Sequence, residues 1–382
     1  MDWPFPPAHY IDHDREFRQL VDQLSQESLI AVDTESNGMY VYRERICLIQ
    51  ISTRSADYIL DPLRIADLSP LGAVLADPGI EKVFHAAEYD LMSFKRDYGF
   101  AFSHLFDTMV AARICGIKAI GLDKLLAQYC GVRLDKRHQR DDWGQRPLLE
   151  ENLLYAQMDT HYLLALRDHL TAELAARGFL EEAWETFELG CQVPAASREF
   201  DPEGYWRIGV PHDFSRRQMA MLRELYLLRE QLAQERDCPP FKVFSDGVMV
   251  ALVVAAPTTA AQLGRIKGMT PSQVSRYGRQ VLRALEQGRR APAPKPPQRA
   301  QDADPAVIER FAALRNWRKG RAAQRGVESD VIVSREALWA LATRAPAQLD
   351  DLHSIRELGP WRIATYGQEI LDVLRHPGQW MK

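Results

Sequence analysis

The chain has 382 residues, 46% of them hydrophobic and 26% charged, with a net charge of −4. That length suits two or three domains with sizeable cores, and the longest apolar run, Val248 to Ala256, is far too short to span a bilayer. Five cysteines, at 47, 115, 130, 191 and 238, have no paired spacing, which argues against a disulfide framework or a zinc site and for small buried side chains in a reducing compartment.

The first residues, Met1-Asp-Trp-Pro-Phe-Pro-Pro, lack the basic and then apolar pattern of a secretion signal. The expectation is a cytoplasmic protein with no membrane association. Charge is divided along the chain: the first 203 residues carry a net −14 and residues 204–382 a net +10. An acidic half followed by a basic half suits a cation site joined to a nucleic-acid holder, or is ordinary scatter of surface charge.

In chain order, Ser28-Leu-Ile-Ala-Val-Asp33-Thr-Glu35 reads as a short buried strand, with further strands near 46–52 and 57–60. Residues two apart on a strand share a face, so Asp33 and Glu35 aim together. Lys82-Val-Phe-His-Ala86 reads as another strand, with Asp90 four residues beyond it at the start of a helical segment. After Pro147, a run from Leu148 to Leu166 reads as one helix, in which Tyr155 and Asp159 fall on a single stripe about one turn apart. The alternation implies an α/β domain over roughly the first 200 residues.

Four carboxylates gathered from three elements repel one another unless something cationic sits among them. Hard oxygen donors favour Mg2+ or Mn2+. Two such ions roughly 4 Å apart can clamp the attacking and leaving oxygens of an in-line displacement at phosphorus. Tyr155, with a reference pKa near 10, is a poor base and a better orienter of water.

At these residues the sequence resembles the DEDD family of 3′→5′ exonucleases, in the subclass with tyrosine in the last motif. The motifs are Val32-Asp33-Thr34-Glu35, His85-Ala-Ala-Glu-Tyr-Asp90 and Tyr155-Ala-Gln-Met-Asp159. Cys47-Leu-Ile-Gln-Ile-Ser52, Leu134-Asp-Lys136 with Asp142-Trp143, and Arg146-Pro-Leu148 narrow the resemblance to the bacterial ribonuclease D family. Ser36 departs from it, standing where many members carry an aromatic, and bears on the fit of the terminal base. The resemblance implies a ribonuclease H-like exonuclease fold that binds two divalent cations through Asp33, Glu35, Asp90 and Asp159, with Tyr155 positioning the water. It also implies precursor transfer RNA as the substrate.

From about residue 212 onward no convincing strands occur and helical patterns dominate. Leu225, Arg229, Arg236, Ser245, Leu263, Pro271 and Tyr277-Gly278 recur 89 residues later as Leu314, Arg318, Arg325, Ser334, Leu352, Pro360 and Tyr366-Gly367. Between the copies, Ala291-Pro-Ala-Pro-Lys-Pro-Pro-Gln298 reads as a semi-rigid spacer. The copies resemble all-α HRDC domains, whose role in the family is auxiliary nucleic-acid binding; their apolar matches alone say only that each is a small helical bundle. The division expected is an exonuclease domain over 1–203, a first HRDC domain over 212–290, a linker over 291–301 and a second HRDC-like domain over 302–382.

Candidate RNA contacts lie outside the acidic set. Lys136, Arg137 and Arg140 precede the last motif and are either phosphate holders or a solvated run. Trp143 is either a stacking face or a core anchor. Arg318 and Lys319 belong to a dense basic helix, either an RNA surface or a solvated face. His85 and Asp107 read as structural. The function expected is a metal-dependent 3′→5′ exoribonuclease that trims RNA 3′ ends and releases nucleoside 5′-monophosphates, with no obligate protein partner evident. A DNA exonuclease on the same scaffold is the alternative within its class, since nothing in the cation site reads a 2′-hydroxyl. A non-catalytic RNA-binding protein is the alternative from another class; it would be expected to lack a carboxylate, and all four are present.

Overall fold

The computed structural model describes residues 5–296 and 304–380, so residues 297–301 of the expected linker lie outside the described residues. The chain gathers into two compact units. One comprises Met1–Ser36, Ile46–Ala196 and Ala303–Lys382; the other comprises Asn37–Arg45 and Ser197–Asp302.

The first unit is built on strands β1 (His9–Ile11), β2 (Leu29–Ser36), β3 (Ile46–Ser52), β4 (Asp57–Leu60), β5 (Glu81–Phe84) and β6 (Leu105–Asp107), in the order β1-β4-β3-β2-β5-β6. β3 runs antiparallel to both neighbours and the remaining pairs are parallel. Every residue of β3 is buried, Gln50 and Ser52 included, as a central strand covered on both faces requires. β2 has a buried stem, Ile30 to Val32, and a polar end, with Asp33 opposite Gln50, Glu35 opposite Leu48 and an irregularity in pairing just after Glu35. Around the sheet lie α1 (Asp14–Leu24), α2 (Ser69–Ala76), α3 (Glu88–Tyr98), α4 (Thr108–Ile114), α5 (Leu122–Tyr129), α6 (Glu150–His161), α7 (Leu163–Arg177) and α8 (Leu180–Cys191).

The run expected as one helix over 148–166 is therefore two, parted at Tyr162. No glycine or proline marks the break. It falls where His161 turns aside to hydrogen-bond Asp57 (2.7 Å) and stack on Phe5 with ring centres 4.0 Å apart.

The helical copies are α9 (Arg216–Glu235), α10 (Pro240–Val243), α11 (Asp246–Ala255), α12 (Ala260–Leu263) and α13 (Pro271–Arg290), then α14 (Pro305–Arg325), α15 (Ser329–Ile332), α16 (Arg335–Arg344), α17 (Leu349–Leu352) and α18 (Pro360–Arg375). The repeated residues are the ones that terminate and lock these helices. Ser245 and Ser334 cap α11 and α16 by accepting from Val248 N and Ala337 N. Arg229 donates to the Phe244 carbonyl and Arg318, its match, to the Val333 carbonyl at 2.9 Å. Arg236 bonds the Tyr277 hydroxyl and Arg325 the Tyr366 hydroxyl. Gly278 and Gly367 let Leu263 and Leu352 approach the last helix, and a Cβ on Gly367 would stand 3.0 Å from Leu352.

Only the second copy shares a unit with the sheet, and it is held there by charge. Glu182 on α8 is fully buried and accepts from Arg325 at 2.9 Å through one guanidinium nitrogen, while a second nitrogen lies 2.8 Å from the other carboxylate oxygen at an angle too poor for a hydrogen bond. Glu185, also on α8, pairs with Arg362 at 2.7 Å and accepts from Trp361 N, capping α18 from outside. Arg113 on α4 reaches Asp330 at 2.5 Å.

Breaking a buried pair from one side leaves an uncompensated charge, which costs about 3 kcal/mol or more. Arg325→Ala should therefore lower stability by about that amount in urea unfolding, whereas Lys319→Ala, at an exposed position, should stay within about 0.5 kcal/mol.

Candidate active site

Asp33 and Glu35 project from the polar end of β2 into one cavity, where they meet Asp90 from the first turn of α3 and Tyr155 and Asp159 from α6. The Thr34 hydroxyl donates to Asp90 Oδ1, tying the strand to the helix. Tyr155 and Asp159 stand one turn apart on the same stripe and line the same cavity. The structure thus brings together all five residues expected to carry chemistry.

Electrostatics in this cavity are unfavourable. Asp33 and Glu35 keep some surface on the cavity, yet the surrounding protein is dense enough that desolvation is the largest influence on both. It raises both carboxyls well above the usual range, and the neighbouring acids raise them further. Burial likewise pushes Asp90 and Asp159 up to about 7. The Tyr155 phenol is pushed upward by burial and then by Asp159, Glu35 and Asp33, so it stays protonated. Among the described residues no three His, Cys, Asp or Glu side chains are arranged to hold a metal ion as they stand. The chemistry of the donor set nonetheless fits a hard divalent cation: four carboxylates supply only oxygen ligands, and their shared repulsion is what a cation relieves.

α6 packs on β2, β3 and β4 and is pinned beside its functional stripe. Between Tyr155 and Asp159, buried Gln157 donates to Asp57 Oδ2 (2.7 Å) and the Pro6 carbonyl (2.8 Å) and accepts from Ala8 N (3.1 Å). Thr160 accepts from the Ser52 hydroxyl at 2.8 Å. The loop before α6 is clamped by Arg146, whose guanidinium holds buried Asp61 bidentately and also reaches the Cys47 and Trp143 carbonyls. Arg146 and Tyr10 hold the Asp61 carboxyl below its usual range against the effect of burial.

Two expected RNA contacts are corrected. Trp143 is 1% exposed, in a small core with Cys47, Leu48, Ile59 and Ala156, so it has no free face for a base; its ring lies 5.9 Å from that of Tyr155 and supports it from below the cavity. Arg318 is spent on the Val333 carbonyl inside its own bundle. Lys136 does line the acidic cavity, paired with Asp123 at 2.8 Å. Arg137 pairs with exposed Asp135 at 2.6 Å and lines a second cavity that shares Leu134, Asp135, Tyr155 and Asp159 with the first. Arg140 and Lys319 are exposed.

Asp107 is structural, as expected, and busy. It accepts from Ala86 N and Ala87 N on one side and from Met109 N and Val110 N on the other. It thereby fixes the turn, with Ala86 at φ +62°, that launches α3 and Asp90. Sequence reading gave no role to Gln157, Asp61 or Arg146, whose long-range partners lie 51 to 151 residues away.

The 3′-5′ exonuclease family profile matches residues 8–175, and the HRDC domain profile matches 218–285 and 308–374. Ribonuclease D of Gluconacetobacter diazotrophicus is 29% identical over 97% of this chain and 93% of its own length. The crystal structure of Escherichia coli RNase D, an exoribonuclease involved in structured RNA processing, superposes with a TM-score of 0.69 at 27% identity, covering 97% of this chain and 99% of that one. The catalytic core of RRP6 from Trypanosoma brucei superposes with a TM-score of 0.67 at 28% identity over 75% of this chain and 81% of that one. Among the described residues no helix is long and apolar enough to cross a membrane. With matching domain order, near full-length likeness and a shared fold, the chain is similar throughout to ribonuclease D, a likeness that supports 3′→5′ exoribonuclease activity.

Proposed function

We propose that Asp33, Glu35, Asp90 and Asp159 hold two divalent cations, Mg2+ or Mn2+, at the 3′ end of a precursor transfer RNA in the cytoplasm, and that Tyr155 orients the attacking water. The observation that carries this reading is the convergence of four carboxylates and one phenol from β2, α3 and α6 in a single cavity whose acids are pushed upward. When bound, divalent cations would polarise the phosphodiester and lower the pKa of the attacking water. The Tyr155 hydroxyl, kept protonated by burial and the neighbouring acids, is suited to holding water and not to removing its proton. Lys136 offers a positive charge to the phosphate at the same cavity. Five free cysteines agree with a reducing compartment. The proposed division keeps an exonuclease domain over 1–203 and HRDC domains over 212–290 and 302–382, with the second HRDC domain packed on the exonuclease domain through Glu182 and Glu185.

Asp33→Asn, Glu35→Gln, Asp90→Asn and Asp159→Asn should each abolish hydrolysis of a 3′-tailed transfer RNA, followed nucleotide by nucleotide, while the protein stays folded. A variant retaining full activity removes that residue from the set. Tyr155→Phe should lower the rate on the order of 10²- to 10⁴-fold with little change in the cation concentration needed for half-maximal rate.

The raised carboxyls also set a pH dependence. Asp90 and Asp159, near 7 in the folded protein and about 3.9 when unfolded, bind more protons folded than unfolded between those values. Their contribution is present below the unfolded pKa and is lost as pH rises through 7. Asp57 and Asp61, held low by His161 and Arg146 against burial, act oppositely and below about 4. In chelator, thermal melting should therefore fall from pH 5 to pH 8, Mg2+ should restore it most at pH 8, and Asp33→Asn should melt higher than wild type. A melting temperature in chelator that is flat across this range would remove the repulsion from the account.

A further inference from the structure

His85 closes the second motif's strand end and lines the same cavity as the four carboxylates. Its Nδ1 lies 2.9 Å from Thr108 Oγ1, and that hydroxyl stands 3.1 Å from the Phe84 carbonyl. Counting hydrogens assigns the tautomer. If Thr108 donates its one hydrogen to the carbonyl, it accepts from a protonated Nδ1, and both contacts are satisfied; the other tautomer leaves two acceptors facing one hydrogen. Nε2 is then the bare nitrogen. Among the described residues it has no hydrogen-bond partner, and it is not sealed from the cavity. Burial lowers the imidazole pKa, which keeps the ring neutral. The Thr108 contact holds the ring, on a backbone that Asp107 fixes through the N–H groups of Ala86 and Ala87.

A neutral acceptor fixed in place selects a donor. Phosphate oxygens only accept; of the cavity's other polar side chains the Thr34 hydroxyl donates to Asp90, Lys136 is paired with Asp123, the Tyr155 hydroxyl stands among the acids, and Gln139 and Tyr89 lie on exposed positions. On a nucleotide whose scissile phosphate reaches the carboxylates, the nearby donors are ribose hydroxyls, and the 2′-hydroxyl is the one that DNA lacks. The geometry points to His85 as the residue that reads the 2′-hydroxyl of the 3′-terminal nucleotide, with Thr108 setting its tautomer. This assignment rests on the cavity being the hydrolytic site.

The test uses full-length protein and short oligoribonucleotides ending in a ribose, a 2′-deoxy or a 3′-deoxy nucleotide. Wild type should remove the ribose terminus about 3- to 10-fold faster than the 2′-deoxy terminus, the effect of one neutral hydrogen bond. His85→Phe keeps a ring without the acceptor, and the ratio should fall toward one through a slower ribose rate. His85→Gln, whose amide oxygen can stand in for Nε2, should keep part of the preference, and Thr108→Val, which releases the tautomer, should lose it. These two decide the matter if thermal melting shows His85→Phe unfolded. A wild-type enzyme with no 2′ preference, an unchanged ratio in His85→Phe, or an effect confined to the 3′-deoxy terminus would overturn the assignment. Asp159→Asn separates the two readings: it should stop cleavage of every terminus even where the His85 ratio fails.

Discussion

The structure is organised around a repulsion it does not itself resolve. Four carboxylates from three elements converge on one cavity, and burial together with neighbouring acids raises each of them. A fold left to minimise its own energy would spread such groups apart. Here the spread is prevented by anchors that are individually modest: the ladder of β2 between β3 and β5, the Asp107 hub under the turn before α3, and the Gln157, Thr160 and His161 contacts that pin α6. Stability is spent here on a site poised for cations, the usual relation between functional sites and local frustration.

The arginines show how misleading a local charge pattern can be. α14 carries Arg310, Arg315, Arg318, Lys319, Arg321 and Arg325 within about three-quarters of its length, which reads as a nucleic-acid surface. Arg310 and Arg318 instead satisfy carbonyls, Arg321 pairs with Glu369, and Arg325 pairs with buried Glu182. Arg315 and Lys319 keep exposed positions. Two of the four committed arginines belong to the 89-residue repeat, and their matches Arg229 and Arg236 make equivalent bonds in the first copy. Recurrence at a fixed offset was itself the signal of a structural role, because a helical bundle must close its termini in the same way each time.

That the acidic side chains would share a face was legible in the sequence because each part depends on local periodicity. Asp33 and Glu35 share a face by strand alternation, and Tyr155 and Asp159 share a stripe by helical spacing. Trp143 was ambiguous because an aromatic in a polar loop has the same neighbours in sequence whether it stacks on a base or fills a core. Its burial follows from Arg146 folding the loop back onto Asp61, a residue 85 positions away. The break at Tyr162 was hidden for a related reason, since its correlate is a side-chain bond from His161 to β4 and not a helix-breaking residue.

By itself the sequence determined the strand and helix periods, the order of acidic motifs, the helical repeat and hence the chemistry the chain can support, since all of these follow from short-range geometry. Only the tertiary structure decided that residues 303–382 share a compact unit with the catalytic sheet while 37–45 belong to the other. Only it decided which arginines are committed and that Thr108 holds His85 Nδ1. Those outcomes depend on hydrogen-bond and ion-pair partners brought together from distant positions, and a partner's identity is set by packing, which local sequence pattern does not encode.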